Sequence, residues 1–282
     1  MTRVLQWSHS KTVALLWFLS AIIFYSLFQM ALLNSNSASS VWLVSNEDRR
    51  SKLYDGMARD LDEKGAAFLN HGETSQSLSL SDIFTLKDGT VEPVLKAANP
   101  PVRANVLYLS PDYSVPISMF HASHHIEPVP ATENEIEAEA AAVRDVSKTL
   151  CPLNIVLDRV VLTSTGVLLG CWQVVSGTDP VTIRAKLRTA LPHAPEKQLY
   201  DAAILHTSFA RLLGPPKASA TETHNSDLVK FFHELVDQLN KKLRGFKATV
   251  SELWYVEEYD VLALALNGKM NVRKIQLGCS RN

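Results

Sequence analysis

The sequence predicts an α+β fold, with two pseudo-symmetric sheet lobes and flanking helices around a central cleft, preceded by an N-terminal transmembrane helix. Three observations lead there. Strand and helix patterns alternate in two comparable halves from about Ala104 onward, and each half has a strand that carries a histidine. Hydrophobic residues make up 46% of the 282 and charged residues 20%, which is enough for a packed core. The run from Val13 to Leu33 contains no charged residue at all.

That run spans the hydrocarbon layer, which needs about 20 apolar residues in a helix. Arg3 and Lys11 precede it and no charge follows until Glu47. The positive-inside rule therefore keeps residues 1–12 as a short cytoplasmic tail and sends the rest across, as in a single-pass type II protein. The competing reading is a secreted chain whose signal is cut after the small residues Ser37 and Ser39. The apolar run exceeds the roughly 7–15 residues of a signal's hydrophobic region, which favours the uncleaved anchor. Residues 34–103 hold a polar linker, Asn34 to Ser40, and then a helical pattern from about Glu47 to Leu69. Leu53, Met57 and Leu61 recur there at four-residue steps, as a stalk or as the first helix of the following domain.

Residues 104–282 form the expected catalytic domain. Ala104 to Ser110 and Val115 to Ile126 are expected strands, the second closed by Pro128 and Pro130. Thr132 with Glu135 three residues on opens a helix by the capping-box pattern. Leu153 to Thr163 and Val167 to Val175 form a hairpin, and Asp179-Pro180 opens a second helix that ends near Leu191. Leu199 to Leu213 contains another strand. A third helix starts near Ser226, carries Leu228, Phe232, Leu235, Val236, Leu239 and Leu243 on one face, and stops at Gly245. Expected strands at Val250 to Val256, Val261 to Leu266 and Val272 to Leu277 finish the chain, with a turn at Asn267-Gly268.

Two motifs carry chemistry. His206-Thr207-Ser208-Phe209 reads as histidine, any residue, hydroxyl, apolar residue, and His121-Ala122-Ser123-His124 repeats its first three positions. Side chains two apart on a strand share a face, so His121 is expected beside Ser123 and His206 beside Ser208. Two imidazoles suit metal-independent phosphodiester cleavage. One takes a proton from the attacking oxygen and the other protonates the departing one, because an unperturbed pKa of about 6.5 lies near working pH. The hydroxyls of Ser123 and Ser208 are the expected phosphate-binding groups.

With these motifs in view, Val106 to Leu277 resembles the two-histidine phosphoesterase superfamily, which includes RNA 2′,3′-cyclic phosphodiesterases and RNA-ligase-like proteins. The order of motif, helix, hairpin (LDRVVLTSTGVLLGCWQV), helix, motif (ILHTSFARLL), helix and terminal strands agrees. The resemblance implies that His121, Ser123, His206 and Ser208 take the catalytic places, that no cofactor is needed, and that the substrate is a small phosphodiester or nucleotide. His124 departs from the family's apolar fourth position. That departure motivates the alternative, a membrane-tethered binding module of the same fold that has lost turnover.

Other residues were weighed. Arg211, Trp254 and Tyr255 are possible substrate-lining residues, with Tyr259 beside them, through phosphate pairing or base stacking. His121, His124 and His125 are too regularly alternating on a strand to converge on a metal. Cys151, Cys171 and Cys279 leave at least one thiol unpaired within the chain, and the sequence leaves any pairing open. The net charge of −1, without a basic stripe, excludes a binder of long nucleic acid. No phosphate loop, dinucleotide fingerprint or nucleophile elbow occurs. Oligomeric state is not readable from the sequence.

Overall fold

Strands and helices are interspersed along the chain, and two of the helices begin where a short side chain satisfies a first-turn backbone N–H group. In this computed structural model residues 45–65, 80–87, 90–98, 104–111, 116–124, 126–212 and 225–279 are described. The expected membrane span, Val13 to Leu33, lies outside them. Among the described residues no helix is long and apolar enough to cross a membrane.

The elements are α1 (Asn46–Lys64), α2 (Leu80–Ile83), β1 (Phe84–Lys87), β2 (Thr90–Pro93), β3 (Ala104–Pro111), β4 (Ile117–His121) and α3 (Glu133–Ser147). There follow β5 (Leu153–Leu162), β6 (Val167–Ser176), α4 (Pro180–Ala190), β7 (His206–Arg211) and α5 (Asn225–Leu243). The chain closes with β8 (Lys247–Glu258), α6 (Ala263–Leu266) and β9 (Met270–Gln276). The α+β class is as the sequence predicts. At α3 the capping box is complete, with Glu135 N–H donating to Thr132 Oγ1 and Thr132 N–H donating to Glu135 Oε2. At α4 Asp179 accepts from Val181 N–H, with Pro180 in the first turn.

All pairings in the main sheet are antiparallel, in the order β4-β3-β8-β5-β6-β7, with β9 also on β8. β8 is the seam. Its first residues, Lys247 to Val250, pair with β5, and its later ones, Glu252 to Glu258, pair with β9, while β3 runs along its other edge. The seven strands thus form one sheet, narrowed to a four-residue pairing between β5 and β8. Its end strands β4 and β7 approach within 8 Å between Cα atoms, so the sheet curls until its ends meet.

The main core lies between this sheet and α3 and α4, where Ile117, Val143, Leu153, Ile183, Leu187 and Leu253 are fully buried. Of the two possibilities for the first helix, α1 is part of the domain. It packs on β5 and β6, and Arg50, 2% exposed, donates to Gln173 Oε1 and to Asp179 Oδ2, both at 2.9 Å.

Val261 to Leu266 is not a strand. The alternation of leucine and alanine fits a period of two, but Leu262 sits in the left-handed region at φ 57° and starts the short helix α6. Cys151 pairs with Cys279, tying the start of β5 to the end of the chain, and Cys171 is the buried free thiol. Closing so long a loop stabilises by about 5 kcal/mol in the chain-entropy account.

Candidate functional site

The meeting of β4 and β7 brings the two motifs together. His121 is the last residue of β4 and His206 the first of β7, each 6% exposed, and both line one cavity of about 1100 Å³. The ring of Tyr200 stands against both imidazoles. Its centroid is 4.8 Å from that of His206, edge-on, and 6.0 Å from that of His121.

Each histidine is held by side chains distant in sequence. The Gln198 amide clamps His121, accepting its N–H at 2.8 Å and donating to its carbonyl at 3.0 Å, as a neighbouring strand would. Tyr54, fully buried on α1, shares its hydroxyl proton between the carbonyls of Trp172 and Leu205 and accepts from Leu205 N–H, which fixes the backbone just before His206. Arg184 on α4 ties the two strands together. Its guanidinium donates to the carbonyls of Met119 (2.8 Å) and Ser118 (3.4 Å) on β4, and of Ala202 (2.7 Å) and Ile204 (2.8 Å) ahead of β7. All are nonlocal contacts.

His206 Nδ1 is buried and has no hydrogen-bond partner among the described residues. Burial first, and then the charge of Arg184, lower its pKa to about 4. The ring is therefore neutral at neutral pH. Ser208 is exposed to the cavity, and its hydroxyl makes no hydrogen bond among the described residues. Arg211 lines the cavity as well. It donates to Thr165 carbonyl at 3.3 Å and has no carboxylate partner among the described residues. A cavity wall that holds a half-buried cation with no carboxylate partner and a hydroxyl with no hydrogen bond among the described residues, together with a neutral imidazole, is suited to an anion.

Thr207 points away and accepts from Trp172 Nε1 at 3.2 Å, whereas Phe209 occupies a bulge between Ser208 and Ala210 and is 37% exposed. Its ring lies over Gly170, where a Cβ would collide with it. A side chain there would have to displace the partly exposed Phe209 ring.

Ser123 departs from its expected place. β4 ends at His121, so the period of two lapses, and Ser123 is fully buried, its Oγ accepting Val129 N–H at 2.9 Å, and does not line the cavity. His124 is 3% exposed and lines the cavity edge. Its Nδ1 accepts Glu127 N–H at 3.0 Å, which accounts for a polar residue at a position where the motif has an apolar one. Trp254 and Tyr255 do not line the cavity. β8 is flanked on both edges, which puts Tyr255 in the core with its hydroxyl donating to Glu139, while Trp254 lies under Lys274 Nζ at 4.6 Å and donates to Glu252. Tyr259, also outside the cavity lining, is 38% exposed. His125 lies outside the described residues. Among the described residues no group of three or more His, Cys, Asp or Glu side chains is placed to hold a metal.

Tyr200 and Glu258 are cavity residues that had no sequence signal. Glu258, at the end of β8, is 2% exposed and lines the same cavity, and burial raises its pKa from 4.5 to about 7. His206 and Glu258 act on stability with opposite sign. As pH falls from 6.5 to about 4, the unfolded chain takes up a proton that folded His206 refuses, so stability is lost on acidification. As pH falls from about 7 to 4.5, folded Glu258 takes up a proton before the unfolded chain does, so stability is gained. Each effect is on the order of 3 kcal/mol. We expect urea denaturation across this range to show His206→Gln gaining stability on acidification and Glu258→Gln losing it. Parallel profiles for the two variants would refute this assignment of the buried charges.

Comparison with protein-family models, curated proteins and solved structures returned no match.

Proposed function

We propose that the protein is a metal-independent phosphodiesterase that cleaves a small phosphodiester, such as a 2′,3′-cyclic phosphate or an RNA end, with His206 as general base and His121 as general acid. The observation that carries this reading is the convergence of both imidazoles on one cavity that Ser208 and Arg211 also line, the one without a hydrogen bond and the other without a carboxylate partner among the described residues. His206, neutral, takes a proton from the attacking water. The oxygen of that water bonds to phosphorus, the bond to the leaving sugar oxygen breaks, and His121 supplies the proton that completes the alcohol. Ser208 and Arg211 hold the non-bridging oxygens as charge gathers on them.

In this reading the sheet comprises two lobes, β9-β8-β3-β4 and β5-β6-β7, each giving one histidine from its outermost strand. The site faces the lumen or the outside of a cell, behind a signal anchor at Val13 to Leu33 or after its removal. The Cys151–Cys279 disulfide supports an oxidising compartment.

The test is hydrolysis of nucleoside 2′,3′-cyclic phosphates by the full chain in the presence of chelator, which we expect to proceed to a phosphomonoester. Absence of product with every nucleoside, or product formed only when metal is restored, refutes the proposal. A second reading rests on Ser123, whose hydroxyl accepts Val129 N–H and does not line the cavity. With one phosphate hydroxyl missing, the cavity would bind such a ligand without turnover. Binding that survives in both His121→Ala and His206→Ala, with no product, favours it.

A further inference from the structure

We propose that Glu258 reads the base of a nucleoside cyclic phosphate, accepting the ring N–H that guanine and uracil carry and that adenine and cytosine lack. This inference rests on the phosphodiesterase reading of the same cavity. Glu258 is used neither by that chemistry nor by any ion pair among the described residues. Its one hydrogen bond among them comes from Leu264 N–H to Oε1 at 2.9 Å, so Oε2 has no donor among the described residues. A buried carboxylate with an unserved oxygen in a cavity wall is an acceptor awaiting a donor.

The wall is built to hold it there. Leu262 and Asn267, both at positive φ, bracket α6, and Asp260 Oδ2 accepts Lys269 N–H at 2.6 Å, which fixes the turn that presents Leu264 N–H to the carboxylate. The acid and the histidines share one stretch of the cavity through two phenols. Tyr108, paired with Ser118 across β3 and β4, lies within electrostatic reach of both Glu258 and Tyr200, and Tyr200 touches both imidazole rings. Phe84, Leu262 and Leu264 line the same cavity and give the faces of a base an apolar surface. The volume of about 1100 Å³ holds a nucleotide.

The chemistry selects the occupant. The ring nitrogen on the pairing edge bears a hydrogen in guanine and uracil but a lone pair in adenine and cytosine, and a carboxylate attracts the first and repels the second. A quaternary ammonium offers no N–H to Oε2, and a primary ammonium needs three acceptors where Glu258 is a single side chain.

The full chain should be assayed with the 2′,3′-cyclic phosphates of all four nucleosides at about pH 8, where the carboxyl is ionised. We expect kcat/KM for guanosine and uridine to exceed that for adenosine and cytidine by about tenfold or more, expressed mainly in KM. The preference should shrink towards about pH 6 as the carboxyl protonates, and should fall to within about threefold in Glu258→Gln. Equal turnover of all four by the wild-type chain overturns the inference and leaves the phosphodiesterase reading standing, as does a preference that survives in Glu258→Gln. Faster turnover of glycerophosphocholine than of any nucleotide also overturns it. Turnover of none of these substrates removes the phosphodiesterase reading and this inference together. If Glu258→Gln does not fold, the pH dependence of the wild-type preference decides.

Discussion

His121→Ala and His206→Ala are each expected to lower kcat/KM on a 2′,3′-cyclic nucleotide by about 10² to 10⁴, the usual worth of a positioned acid or base. The double variant should be little worse than either single one, because the two rings act as a unit on one proton-transfer sequence. The pH profile separates their roles. With His206 held down to about 4 by burial and by Arg184, the acid limb of kcat/KM in the free enzyme should lie near that value instead of near 6.5. A limb near 6.5 would mean that the base is another group. Full activity in either alanine variant would mean that its imidazole is packing alone.

Arg184→Met is expected to have the largest structural effect. The guanidinium is 6% exposed and donates to four carbonyls that belong to the two histidine-bearing segments. Methionine fills much of the volume but leaves those carbonyls short of donors in a buried setting, so a loss of about 3–5 kcal/mol in stability follows. Catalysis should fall as well, by about 10², since a shift of one strand against the other misplaces one imidazole relative to the phosphate. Loss of the positive charge also raises the pKa of His206, moving the acid limb upward. Arg184→Lys keeps the charge without the planar fork. It should leave the acid limb low while still reducing the rate, which distinguishes positioning from electrostatics.

The parts of this molecule that were legible in its sequence are those fixed by local rules. Thr132 with Glu135, and Asp179 with Pro180, announce the starts of α3 and α4 because a cap is satisfied within one turn. The hairpin of β5 and β6 follows from two apolar runs about a Gly166 at φ 78°. His206, Ser208 and Arg211 share a cavity as the sequence suggests, because β7 carries them. Ser123 escaped the same reasoning because β4 stops at His121, and a rule of alternation has no force beyond the end of a strand. Val261 to Leu266 escaped it because an alternating apolar run does not reveal that Leu262 takes a left-handed conformation. Tyr54, Arg184, Gln198, Tyr200 and Glu258 had no local signal. Tyr54, Arg184, Gln198 and Tyr200 act through contacts to residues remote in the chain, those to β4 made possible by the curling that brings β4 to β7, and Glu258 enters the cavity from the end of β8.

The claim that the two imidazoles serve one phosphate is tested most directly by following both rings while a product analogue binds. Uridine 3′-monophosphate should be titrated into the full chain with ¹⁵N-labelled histidine. The account predicts that the His121 and His206 ring signals move along a single binding curve and that the pKa of His206 rises from about 4 as the anion settles beside it. A ring that does not respond, or two curves with different midpoints, would contradict it.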